Sequence, residues 1–183
     1  MKTIIVWMLA IIVTFAKECQ YDVEDIVVKW SAYKTPLKVA VSGTFKEIEI
    51  STNPNKTVDT LLKGVKVTID TANIDSKNSE RDAKLVKFFF NIQNVKSIGA
   101  KIKSLDQEIV NTEIRMNGIS KIIPMKMRRK NNHIEAEGYI DLEDFDMIHS
   151  LKSINKACYE LHKGKTWQDI KIAFDIQIKK QCK

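Results

Sequence analysis

The chain has 183 residues, with 30 Lys and Arg against 23 Asp and Glu for a formal charge of +7. That length is enough for one well-buried core and too short for two comfortable domains. The charge is spread through lysines that alternate with apolar residues (Lys63, Lys66, Lys101, Lys103), and the one dense cluster, Lys126, Arg128, Arg129 and Lys130, has no interleaved aromatics. This pattern excludes a nucleic-acid reader, and the cluster reads as a solvated strand end.

The first element is a targeting segment. Lys2 precedes an apolar run from Ile4 to Phe15, which ends on Thr14-Phe15-Ala16. One positive residue, a short apolar stretch and small residues before the cut make a secretory signal over 1–16, too short to span a bilayer. Cleavage after Ala16 leaves 17–183 as the mature domain. Loss of Lys2 lowers the charge from +7 to +6. The expectation is a periplasmic or secreted protein with no stable membrane insertion.

Beyond the signal the dominant period is two, the mark of strands with one buried and one wet face. Chain order gives Ile26, Val28, Trp30, Ala32; then Leu37, Val39, Val41, Gly43, Phe45; then Val65, Val67, Ile69. Next come Ile98, Ala100, Ile102; Val110, Thr112, Ile114, Met116; Ile123, Met125, Met127; and Ile134, Ala136, Gly138, Ile140, Leu142. The clearest run is the last, Ile170, Ile172, Phe174, Ile176, Ile178. Eight strands result, separated by turn signals such as Asn53-Pro54-Asn55 and Asn117-Gly118. The fold class is all-β, an eight-stranded antiparallel barrel with one or two short helices. Two stretches depart from the period. Ser79-Glu80-Arg81-Asp82 has the form of a capping box with Ser79 as cap, opening a short amphipathic helix. A second helical stripe runs through Ile148, Leu151, Ile154, Cys158 and Leu161, with His162 and Lys163 before Gly164.

A barrel of eight strands either fills with its own side chains or holds one small ligand. Small inward positions (Ala32, Gly43, Ala100, Ala136, Gly138) would leave room. Cys19 and Cys182 flank the first and last strands, which lie side by side in an even-stranded antiparallel barrel. A disulfide between them would staple that seam and contribute about 4–5 kcal/mol at most. Cys158, on the apolar stripe, is expected as a free buried thiol.

No pattern for catalysis stands out. There is no glycine-rich phosphate loop, paired-cysteine metal pattern or Gly-x-Ser-x-Gly elbow. His133, His149 and His162 are in no ligand spacing, so no metal is expected. Asp141, Glu143, Asp144 and Asp146 read as a solvated acidic loop, and Cys158 four residues before His162 reads as burial on one helix face. A non-enzyme is the expectation.

The segment Ile74-Asp75-Ser76-Lys77-Asn78-Ser79-Glu80-Arg81-Asp82-Ala83-Lys84-Leu85, followed by Phe88-Phe89, resembles the signature of the YceI-like family. Gly118-Ile119-Ser120-Lys121 with Pro124, Asp144-Phe145, and Trp167-Gln168-Asp169-Ile170-Lys171-Ile172 are similar to further landmarks of that family, in its order, from about Tyr21 to Ile178. The resemblance implies a lipocalin-like barrel in the periplasm of a Gram-negative bacterium, with a polyisoprenoid or other long-chain amphiphile in an apolar tunnel. Lys84 stands where many members have His, so any role of that imidazole is absent. The 148–167 stretch reads as an insertion able to reshape the tunnel mouth.

The expected lining is Trp30, Val39, Val41, Phe45, Val67, Ile69, Ile114, Met116, Ile172 and Phe174, with Leu85, Phe88 and Phe89 closing one end. Methionines Met116, Met125 and Met127 suit an adaptable wall. Arg81 and Asp82 are expected either to meet a polar head group or to pair at the helix start. The partner is therefore a long-chain apolar small molecule, with no cofactor beyond such a lipid, and a homodimer is compatible with the sequence. The alternative is a stress-linked or secreted interaction protein with a packed barrel that acts through its surface.

Overall fold

The computed structural model describes residues 18–182; the expected signal segment lies outside the described residues. Alternation dictates the architecture. Ten strands form one antiparallel sheet: β1 (Cys19–Lys34), β2 (Val39–Phe45), β3 (Glu49–Ser51), β4 (Lys66–Asp70), β5 (Ile74–Asp75), β6 (Ser97–Leu105), β7 (Ile109–Met116), β8 (Ile119–Lys130), β9 (His133–Asp141) and β10 (Asp169–Cys182). Their order is β3-β4-β6-β7-β8-β9-β10-β1-β2-β5. All eight expected strands are present. β3 and β5, three and two residues long, are additions too short for a period-two pattern to reveal.

The sheet curls around a core that takes every second residue. On β7, Val110, Thr112, Ile114 and Met116 are all buried, and on β8 so are Ile123, Met125 and Met127. The two strands join through Asn117 (φ 50°) and Gly118 (φ 76°), the paired left-handed conformations of a two-residue hairpin. No ladder joins the two edge strands. Instead the chain crosses from β4 to the β2 edge through the turn Thr71–Asn73 and β5, whose Ile74 pairs with Phe45.

Four helices sit at the two ends. Helix α1 (Val58–Gly64), which has no periodic signature, is capped by Thr57 and buries Leu61 and Leu62 completely against β1 and β6. It closes the end where Cys19 and Cys182 meet. At the other end lie α2 (Ser79–Leu85), which continues as a π-helical turn over Val86–Phe90, α3 (Ile148–Ala157) and α4 (Tyr159–His162). The cap of α2 is Asn78, whose side chain accepts from Arg81 N at 2.9 Å, rather than Ser79. Asn78 is extended (φ −149°), as an N-cap requires, whereas Ser79 is already helical.

β1 and β10 pair from Cys19↔Cys182 to Ser31↔Lys171, with one bulge between Val23 and Asp25. The Cys19–Cys182 disulfide terminates this seam and spans 163 residues of sequence. Cys158 is a free, buried thiol. Replacing both Cys19 and Cys182 by Ser is expected to lower unfolding stability by about 2–4 kcal/mol, read from urea unfolding of the oxidised protein and the double variant. Equal midpoints would show that the ladder alone holds the seam.

Candidate functional site: an apolar cavity with a polar mouth

Inside the curl is a cavity of about 400 Å³. That volume falls within the range of roughly 300–1,000 Å³ typical of small-molecule sites. Its closed end is lined by Val65, Ile102, Thr112 and Ile176, and Leu61, Leu62 and Ile178 are buried outside that lining. Its mouth is bordered by Asn78, Glu80, Arg81 and Lys84 of the α2 segment and by Lys34, His162, Thr166 and Trp167 on the opposite side.

The structure places Trp30, Val41, Phe45, Val67, Ile69, Leu85, Phe89, Ile114, Met116, Ile172 and Phe174 on the cavity wall. Val39 and Phe88 are off it. Val39 has the inward parity of Val41, but it sits at the strand end opposite Lys34, above the rim, and is 47% exposed. Phe88 is displaced by the π-helical turn, whose wider pitch rotates Phe89 and Phe90 inward together. Phe90 packs edge-on against Phe89 with centroids 5.0 Å apart, while Phe88 lies beneath the Lys87 ammonium. No local pattern distinguishes Phe88 from Phe90 in a Phe-Phe-Phe run. Met125 joins the wall, whereas Met127 is buried outside it.

The small residues do not all leave space. Ala32 and Ala100 border the cavity, but the room at Gly43 is filled by Trp30. A Cβ on Gly43 would stand 2.5 Å from Trp30 Cζ2 and 2.6 Å from the Asp75 carbonyl oxygen. The indole thus lies across the glycine, and its Nε1 donates to the Thr44 carbonyl at 3.2 Å. Gly138 is similarly occupied by Met125 and the Pro124 carbonyl.

Arg81 and Asp82 do not bond to each other. Both hold the buried Ser76: Asp82 Oδ1 accepts from Ser76 N at 2.9 Å and from its hydroxyl, while Arg81 Nε donates to that hydroxyl at 2.8 Å and Nη2 to the Ser76 carbonyl at 2.7 Å. Asp75, hydrogen-bonded by the Lys77 ammonium and its backbone N–H, is held below the usual carboxylate range. The signature segment therefore ties the crossing from β5 to α2 into one hydrogen-bonded corner, with Arg81 still bordering the mouth.

The 148–167 segment covers the other side. Leu151, Ile154, Cys158 and Leu161 form part of the wall. α3 breaks at Cys158, and α4 ends in Lys163 and Gly164 with positive φ. The chain then returns to the sheet through Trp167 N, which donates to the Tyr33 carbonyl at 3.0 Å.

Outside the cavity, cross-strand register assembles one group that linear spacing conceals. His133, Glu135 and Asp175 bring one ligand atom each within 4.8 Å of one another on β9 and β10. Asp175 bonds to His133 Nε2 and to Lys29 at 3.5 Å, and Glu135 pairs with Arg128 at 3.3 Å. Both carboxylates are thus already matched by cationic or imidazole partners. Of the basic cluster, Arg129 pairs with Asp59 at 2.5 Å. The acidic loop is held by Lys121–Asp144 at 3.1 Å and by Gln168 donating to Asp141 at 2.8 Å.

The fold and site define a curled antiparallel barrel enclosing an apolar chamber with one polar rim. The YceI-like domain model matches residues 20–178, so the chain belongs to the YceI-like family. Among solved structures it is similar to a polyisoprenoid-binding domain from Saccharophagus degradans implicated in plant cell wall breakdown (10% identity, 90% of this chain and 99% of that one, TM-score 0.62). It is also similar to BcnA of Burkholderia cenocepacia (15%, 83% and 96%, TM-score 0.52) and to a YceI protein of Campylobacter jejuni (16%, 78% and 85%, TM-score 0.51). These share the fold. No curated protein matches the chain.

Gly43→Ala is expected to cost about 2–3 kcal/mol by overpacking and to shift tryptophan emission as the Trp30 indole is displaced. Thermal unfolding and fluorescence read both. An unchanged spectrum would show that the wall yields elsewhere.

Proposed function

We propose that this protein binds and carries a long apolar amphiphile, of the polyisoprenoid, isoprenoid quinone or fatty acid and amide kind, without chemically altering it. The observation that carries this reading is the continuous apolar wall from Val65 and Ile102 at the closed end to Phe89, Leu151 and Leu161 near the mouth. Each buried methylene of a guest contributes about 0.8 kcal/mol, so a chain of ten or so carbons binds usefully with few polar contacts. The polyisoprenoid-binding neighbour from Saccharophagus degradans supports the same class of cargo. The expected signal segment supports action in the periplasm or outside the cell. Among the described residues no helix is long and apolar enough to cross a membrane. The packed-barrel alternative fits less well, because the wall residues leave a chamber of ligand size.

Native mass spectrometry of the protein from its own compartment, followed by organic extraction, tests the reading. The expected result is an adduct of a few hundred daltons that extracts as a prenyl or long-acyl compound. Filling the chamber with Ala100→Phe, at a wall position between Val67 and Ile114, is expected to abolish uptake of that compound while the circular dichroism spectrum is kept. An apo mass with no uptake of added prenylquinones or fatty amides would overturn the proposal.

A further inference from the structure

The mouth holds one imidazole whose tautomer is fixed by its neighbours. His162 Nδ1 lies 2.7 Å from Thr166 Oγ1, and that hydroxyl is 2.9 Å from Asn155 Oδ1. Asn155 is oriented in turn by its Nδ2, which donates to the Gly164 carbonyl at 3.3 Å. A carboxamide oxygen only accepts, so the single Thr166 proton is committed to Asn155. The Nδ1–Thr166 contact can then be a hydrogen bond only if Nδ1 carries the proton. In the neutral ring this leaves the lone pair on Nε2, which meets no partner among the described residues, and His162 belongs to the cavity wall.

We propose that His162 Nε2 is the head-group acceptor of the cavity, selecting amphiphiles whose polar end carries a hydrogen-bond donor, such as a hydroxyl or a primary amide, over those whose polar end only accepts. The inference rests on the carrier reading above and adds the chemistry of the guest's polar end.

Electrostatics keep the acceptor available. Burial, and then the Lys34 ammonium on β1, hold the His162 pKa below its ordinary value of 6.5, so the ring is neutral at pH 7.5. On its own segment Glu160, Lys163 and Lys165 are exposed, and Cys158 shares the wall, while Glu80, Arg81 and Lys84 of α2 face the ring across the opening. The same neighbours explain why a donor-bearing head is favoured over an ammonium head: Lys34 would repel the latter. Thr166 and Asn155 are positioning residues, since they reach the guest only through the ring.

Two measurements on the mature, disulfide-bonded chain test this. The first is ¹⁵N NMR of the histidine side chains at pH 7.5 without ligand. The expected spectrum has His162 Nδ1 protonated and Nε2 bare, and Thr166→Val is expected to mix the two tautomers. A ring protonated on Nε2 in the unaltered protein would overturn the proposal.

The second is competition of dodecanol, dodecyl methyl ether and dodecane against a fluorescent apolar probe, N-phenylnaphthylamine. The alcohol can donate to Nε2 and the ether cannot. The alcohol is expected to bind about fivefold more tightly than the ether, the worth of one ordinary hydrogen bond. His162→Phe is expected to erase that preference and leave dodecane binding unchanged. The preference is also expected to vanish as pH falls through the His162 pKa, which lies below 6.5, because a protonated Nε2 no longer accepts. Equal binding of alcohol and ether at pH 7.5, or a preference that survives His162→Phe, would refute the head-group assignment alone. Failure of all three compounds and of the probe to bind would instead sink the carrier reading itself.

Discussion

The pairing of the first strand with the last governs this molecule. β1 and β10 share a ladder from the disulfide to Ser31↔Lys171, and each carries a further neighbour, β2 on one side and β9 on the other. Without that ladder the remaining strands would form two separate curved sheets, each with its apolar face open to water. With it, the inner residues of β1 and β10 (Ile26, Val28, Trp30, Ile172, Phe174 and Ile176) become a shared wall for both halves. The contact joins segments nearly the whole chain apart. Its loop-closure cost is therefore high, which is where a covalent link at Cys19–Cys182 does most by restricting the unfolded chain.

The sheet was largely legible in the sequence because a curled antiparallel sheet obeys a simple parity. The eight long strands and the inward face of β7, β8 and β10 follow from alternation alone. Parity fails where the backbone stops being a regular strand. Val39 has the right parity and the wrong height, since nothing in the sequence tells how far above the rim a strand begins. Phe88 fails because a π-helical turn shifts the helical face by one residue, and three successive phenylalanines carry no signal for that shift. Gly43 and Gly138 fail for a different reason: a small residue marks close approach as readily as empty space, and only the Trp30 indole and the Met125 side chain show which.

Long-range polar geometry was the least legible part. The His133–Glu135–Asp175 group exists because β9 and β10 lie in one register, with Glu135 opposite Asp175. Ser76 gave no sign of being the point on which both Arg81 and Asp82 converge. The signature segment could be recognised by resemblance, yet its physical role, tying the passage from β5 into α2, follows from directed hydrogen bonds. Such bonds depend on a few dihedral angles that composition and period do not constrain.

The division of labour between body and mouth follows from these two kinds of information. The apolar wall is redundant: many strand residues contribute similar surface, and exchanging one aliphatic side chain for another alters the volume only slightly. The mouth is not redundant, because a hydrogen bond at the rim depends on one atom in one tautomer. Here the groups able to make such bonds come from the loop following β5 and α2 on one side, and from the 148–167 segment and the end of β1 on the other. A barrel of this kind can keep its chamber while its polar rim is rebuilt by changing loops, since neither mouth segment lies in the β1–β10 ladder. The shape of the cargo is thus set by the sheet and the chemistry of its polar end by the loops. The α2 side of this mouth offers Lys84, an ammonium that only donates, and the mouth's imidazole, His162, comes from α4 across the opening.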